Sequence, residues 1–154
     1  MGKSTIVLLT IFLASVPSEA QVINEIHIFI DGDAQIVLVD SLGRRCGYDP
    51  ISHTDYEEIP RASYGDEGVD SEDSSVPDLY SRGLGLQKAT TGTYTLKIIG
   101  TKQGTYDVTI SMGRGLGNGD SFSFNDSTFR GSVALFDIFY STDTTVQLKA
   151  IRLH

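Results

Sequence analysis

Period-two alternation of apolar and polar residues restricts the fold of this chain more than any other feature. In GTYTLKI (92–98), Tyr94, Leu96 and Ile98 stand on one side and Thr93, Thr95 and Lys97 on the other. GTYDVTI (104–110) repeats the pattern, with Tyr106, Val108 and Ile110 against Thr105, Asp107 and Thr109. Successive side chains of an extended strand project to opposite faces, so each segment reads as a strand laying Tyr and aliphatic residues on a core. The linker IGTKQG holds Gly100 and Gly104, and such a Gly-bounded connection predicts one antiparallel hairpin. There is no third copy, so the doubled word is not a solenoid repeat.

The same periodicity predicts a strand at VINEIHIFI (22–30), the short β-branched run QIVLV (35–39) reads as another, further strands are expected at SFSFN (121–125), VALFDIFY (133–140) and TVQLKAI (145–151), and no segment has the spacing of an amphipathic helix. Short strands separated by Gly, Asp, Asn and Ser point to an all-β fold, a single-domain antiparallel β-sandwich of jelly-roll-like form.

Ahead of these strands, MGKSTIVLLTIFLASVPSEAQ carries Lys3, an apolar run from Ile6 to Val16, Pro17 and the small residues Ser18 and Ala20. This is the pattern of a secretory signal peptide over 1–20, cut after Ala20, which predicts a secreted chain, extracellular or periplasmic, with its domain over 21–154. The apolar run is shorter than the ~20 residues of a membrane-spanning helix, so no span is expected. Twelve Lys and Arg stand against twenty Asp and Glu, a net charge of −8 that loss of Lys3 and Glu19 leaves unchanged. The scattered cations argue against a nucleic-acid partner, which requires a basic face. Cys46 has no second cysteine with which to form an internal disulfide; in an oxidising compartment it is free, buried or paired with a second chain.

Ser41 to Gln87 reads as the longest loop, opening on an Asp40–Gly43 turn and holding an acidic stretch around 60–80 with Asp66, Glu67, Asp70, Glu72, Asp73 and Asp78. So few apolar residues cannot bury the stretch, and it is expected to be mobile. Clustered acids also suit Ca²⁺, an oxygen-seeking ion. The candidate ligands outside the stretch are Asp31 and Asp33, which flank Gly32 at a strand end, without the spacing of an EF-hand loop.

AQIVLVDSLGRRCGYDP followed by GTYTLKIIGTKQGTYDVTI resembles the β-sandwich accessory modules of secreted bacterial proteins, similar to the pre-peptidase C-terminal type. The matching positions are Leu38, Asp40, Gly43, Gly92, Tyr94, Tyr106 and Val108, within residues 23 to 112. The resemblance implies a non-catalytic extracellular accessory or binding module, sometimes calcium-stabilised, with an extracellular protein or polysaccharide as partner. The acidic insertion and the strands beyond residue 112 depart from that pattern.

No motif supports an enzyme. GDSFS (119–123) has the wording of a GDS-type esterase motif, but Ile151 stands where the Asp preceding His154 should be, so it reads as a turn entering a strand. GRGLGNG (113–119) lacks the ending and the following helix of a phosphate loop. His27, His53 and His154 lack zinc spacing, and His53 with Asp55 reads as a loop contact. Two further readings stand beside the accessory module. A carbohydrate-binding module would use Tyr48, Tyr56, Tyr64 and Tyr80 as a stacking platform, and a structural subunit of a surface assembly would pair exposed strand edges.

Overall fold

A computed structural model of the chain describes residues 23–69, 79–115 and 118–153. The leader of residues 1–20 and the acids Asp70, Glu72, Asp73 and Asp78 lie outside them. Eleven strands run in chain order: β1 (Ile23–Gly32), β2 (Ala34–Val39), β3 (Arg45–Asp49), β4 (Thr54–Glu57), β5 (Ala62–Val69), β6 (Leu79–Gln87), β7 (Gly92–Gly100), β8 (Gly104–Gly115), β9 (Asn118–Thr128), β10 (Val133–Tyr140) and β11 (Lys149–Leu153). They form two antiparallel sheets, β5-β6-β1-β8-β9 and β11-β10-β7-β2-β3-β4, packed face to face as a β-sandwich.

The alternation read from the sequence is the alternation of burial. Ile26, Ile28 and Ile30 of β1, Leu84 and Leu86 of β6, and Val108, Ile110 and Met112 of β8 line one inner face. Ile36 and Leu38 of β2, Leu96 and Ile98 of β7, and Phe136 and Ile138 of β10 line the other, all almost wholly buried. At about 25 cal/mol per Å² of apolar surface removed from water, these interdigitated faces are the main stabilising contribution. Phe124 and Phe136 meet between the sheets with ring centroids 4.9 Å apart, and the Tyr140 hydroxyl crosses to donate to the Gly113 carbonyl at 2.7 Å.

Three expectations are corrected. The doubled word is not a hairpin: β7 pairs with β2 and β10 in one sheet, while β8 pairs with β1 and β9 in the other. The linker Thr101–Gln103 carries the chain between sheets, stacked on the crossing from β1 to β2, which runs the opposite way. There Asp33 N donates to Thr105 O at 3.0 Å, and Thr101 N donates to Asp33 O at 2.9 Å. Second, the segment from Ser41 to Gln87 is not one loop, since it contains β3, β4 and the β5–β6 pair. Asp66 and Glu67 lie in β5. Third, only the end of TVQLKAI is strand; Leu148 is buried ahead of β11 in the turn that Arg114 grips, through Nη1 to the carbonyls of Asp143 and Val146.

Cys46 is completely buried, and burial, with the nearby Glu57 carboxylate, pushes its thiol up to about 11. Of the three fates open to it, the structure shows burial; kept protonated, the thiol is a poor nucleophile at neutral pH.

The Asp40 turn is tighter than its sequence signal. Asp40 Oδ1 accepts from the amides of Leu42 and Arg44, both at 2.9 Å, and Oδ2 is 2.7 Å from Arg44 Nη2. Burial works to raise the pKa of this carboxyl, but the guanidinium and amide of Arg44 and the amide of Leu42 outweigh it and hold the value below the ordinary aspartate range. A depressed folded-state pKa contributes stability above the unfolded value of about 4, lost as pH falls through the lower folded value. The stability difference between the parent and Asp40→Asn is therefore expected to be constant from pH 5 to 7 and to shrink below about pH 4. Urea melts across that range check this, and a difference independent of pH would contradict it.

Candidate binding site at the Tyr48 end of the sandwich

Because β2 and β7 are antiparallel, with Ala34 opposite Gly100, the start of β2, the end of β7 and the β3–β4 turn meet at one end of the molecule. The β9–β10 turn folds over the same end. Gly131 N donates to Gly100 O and Gly100 N to Ser132 O, each at 2.9 Å. A Cβ on Gly100 would sit 2.2 Å from Phe129 O, so only glycine lets the turn close. Between these turns lies a cleft of about 400 Å³ walled by Tyr48, Ile51, His53, Thr101 and Arg130.

The β3–β4 turn is built by Asp49, whose Oδ1 accepts from Ile51 N at 2.8 Å and Ser52 N at 3.2 Å. That brings His53, at φ 51°, beside Tyr48, with the hydroxyl 3.3 Å from Nδ1. Ile51 is left 60% exposed at the rim.

Tyr48 also borders a second cleft, of about 310 Å³, where β3 and β4 of one sheet face β5 and β6 of the other. Gln35, Asp55, Tyr64, Asp66 and Arg82 complete it. The Tyr64 hydroxyl donates to Gln35 Oε1, and Arg82 Nε is 3.6 Å from Asp66 Oδ1. Burial pushes the Tyr64 phenol up to about 12, with Arg82 opposing and Asp66 and Asp55 adding to the rise, so it remains a hydrogen-bond donor. The two clefts share an aromatic wall edged by amide, carboxylate, imidazole and guanidinium groups, a donor and acceptor set suited to a polyhydroxylated ligand.

Of the four tyrosines named for a platform, Tyr48 and Tyr64 converge. Tyr56 does not join them: the Arg45 guanidinium covers its ring at 3.9 Å and is itself held by Glu58 at 2.8 Å. Tyr80 lies outside the residues whose side chains are described. Arg82, Gln35 and Arg130 were not singled out from the sequence, because nothing local marks them; three separated stretches of chain bring them to one end.

Asp31 and Asp33 occupy the β1–β2 crossing. Asp31 is exposed opposite Asp107, while Asp33 Oδ1 is 2.9 Å from Lys102 Nζ. Among the described residues no three His, Cys, Asp or Glu side chains are grouped to hold a metal. Ser121 is on the outer face of β9 with its hydroxyl 3.3 Å from that of Ser111, far along the chain from His53; His27 is 3.2 Å from Glu25. No helix among the described residues is long and apolar enough to cross a membrane. Comparison with protein-family models, curated proteins and solved structures returns no match to this chain.

Proposed function

We propose that this chain is an exported, non-catalytic binding module whose ligand is a carbohydrate seated against Tyr48. The observation that carries the reading is the position of Tyr48, a half-buried ring common to two clefts edged by side chains able to bond hydroxyl groups. An aromatic ring stacks on the apolar face of a sugar while the polar rim takes its hydroxyls. The resemblance to secreted accessory modules and the leader-like first twenty residues support the same reading. N-terminal sequencing of the secreted chain is expected to begin at Gln21. The same reading keeps Ca²⁺ at Asp31 and Asp33 as a proposed stabilising ion, tested by whether a chelator lowers the melting midpoint.

Tyr48→Ala is expected to abolish retention on polysaccharide affinity gels while shifting stability by about 1 kcal/mol or less, as truncation outside a sealed core does. Retention equal to that of the parent would overturn the site, and a large loss of stability would make Tyr48 a core residue instead.

A further inference from the structure

The opposite end of the sandwich holds a cleft of different chemistry. The β2–β3 turn, the β4–β5 turn and the β6–β7 connection enclose about 380 Å³ there, with Ile59 and Leu86 among the apolar walls and the cations Arg44, Arg61 and Lys88 around them. Three of the chain's twelve Lys and Arg thus border one cavity in a protein of net charge −8. The single carboxylate lining it, Asp40, is already bonded to Arg44. Glu58, adjacent in sequence, is taken up by Arg45. Among the described residues neither Arg61 nor Lys88 has a carboxylate within ion-pair distance.

The backbone adds a second, independent observation. Among the described residues only His53, Arg61 and Lys88 are non-glycine residues at positive φ, and Arg61 and Lys88, at 65° and 55°, are neighbours here, with Gln87 N donating to Arg61 O at 3.1 Å. Left-handed backbone brings the Cβ of any residue but Gly too close to a carbonyl oxygen, and folding alone would be served better by Gly or Asn. Two cations therefore stand at strained positions beside a cavity in which cations predominate, and strain of this kind collects at ligand clamps.

We propose that this cleft is an oxyanion site, in which Arg61 and Lys88 hold a sulfate, phosphate or carboxylate group and Arg44 adds to the field. Guanidinium and ammonium groups give charge-assisted bonds to such oxygens. The site is independent of the carbohydrate reading of the Tyr48 end.

The test is a titration of the ¹⁵N-labelled chain with sodium sulfate against sodium chloride of equal ionic strength. Saturable shifts are expected at the amides of Arg61, Lys88, Ala89 and Thr90, weakening as added chloride screens the site. The Arg61→Asn/Lys88→Asn double variant removes both charges while suiting left-handed backbone. It is expected to keep the melting midpoint and lose roughly tenfold or more in sulfate affinity, whereas the charge-keeping Arg61→Lys/Lys88→Arg variant stays within a few-fold of the parent. Shifts that never saturate, or equal affinity in the uncharged variant, would overturn the site. Dextran sulfate, with neutral dextran as blank, separates the sources: binding of the polymer assigns the anion to a polysaccharide, and response to sulfate alone assigns it to a free ion.

Discussion

Tyr106→Ala and Tyr94→Ala are each expected to lower the free energy of unfolding by about 3 to 5 kcal/mol, the range for large aromatic truncations in a core. The two rings are only 2% and 5% exposed, and they enter one core from opposite sheets. Their hydroxyls should behave differently. The Tyr94 hydroxyl donates to Thr90 O at 3.0 Å and accepts from Thr90 N at 3.1 Å, tying the ring to the chain four residues upstream as in the tyrosine corner of other β-sandwiches. Removing it leaves those backbone groups short of a partner, so Tyr94→Phe should cost about 1 to 3 kcal/mol. The Tyr106 hydroxyl is buried with no partner among the described residues, so Tyr106→Phe should be neutral or stabilising. Urea melts of the four variants decide this, and phenylalanine variants ranked the other way would refute the assignment.

Gly47→Ala should destabilise by about 3 kcal/mol or more, through a left-handed backbone and a steric clash acting together. Gly47 sits in β3 at φ 124°, and a Cβ there would lie 2.2 Å from Ile36 O and 3.0 Å from the Val37 Cα, both backbone atoms of β2 that cannot swing aside. Relief requires β3 to separate from β2 next to the buried Cys46. Gly65→Ala is the control, since a Cβ there meets nothing within 4 Å and its φ is not left-handed. That substitution should be neutral or stabilise by up to about 1 kcal/mol, because alanine loses less backbone entropy on folding. Thermal melts giving the two variants similar midpoints would contradict the steric account.

How far the fold was legible differs from strand to strand. β1, β7 and β8 carry strong alternation because one face of each is filled with Ile, Leu, Val or Tyr against the opposite sheet, while β2 and β10 are legible as near-continuous apolar runs. β3 and β4, written RCGYD and TDYE, carry few apolar residues, and β5 and β6 place Gly and charge among theirs, so their composition reads as loop. They become strands because neighbouring ladders satisfy their backbone groups, which no local pattern announces. The candidate site was partly legible: aromatic character marked Tyr48 and Tyr64, but Arg82, Gln35 and Arg130 carry no local signal.

For β1, β7 and β8 the sequence by itself determined which side chains face the core, because a period of two is a property of a single extended strand and needs no partner. It also determined that Tyr94 and Tyr106 are buried alike, since each is in phase with the aliphatic residues of its own strand. Only the tertiary structure decided that their strands cross between sheets, because a hairpin and a crossing arch make the same demands on each strand and differ only in which other strands lie alongside. It likewise decided that one hydroxyl is bonded and the other is not, and that Arg44, Arg61 and Lys88 share a cavity. Those are relations between residues brought together from separate stretches of chain, and the packing of the two sheets alone sets their distances.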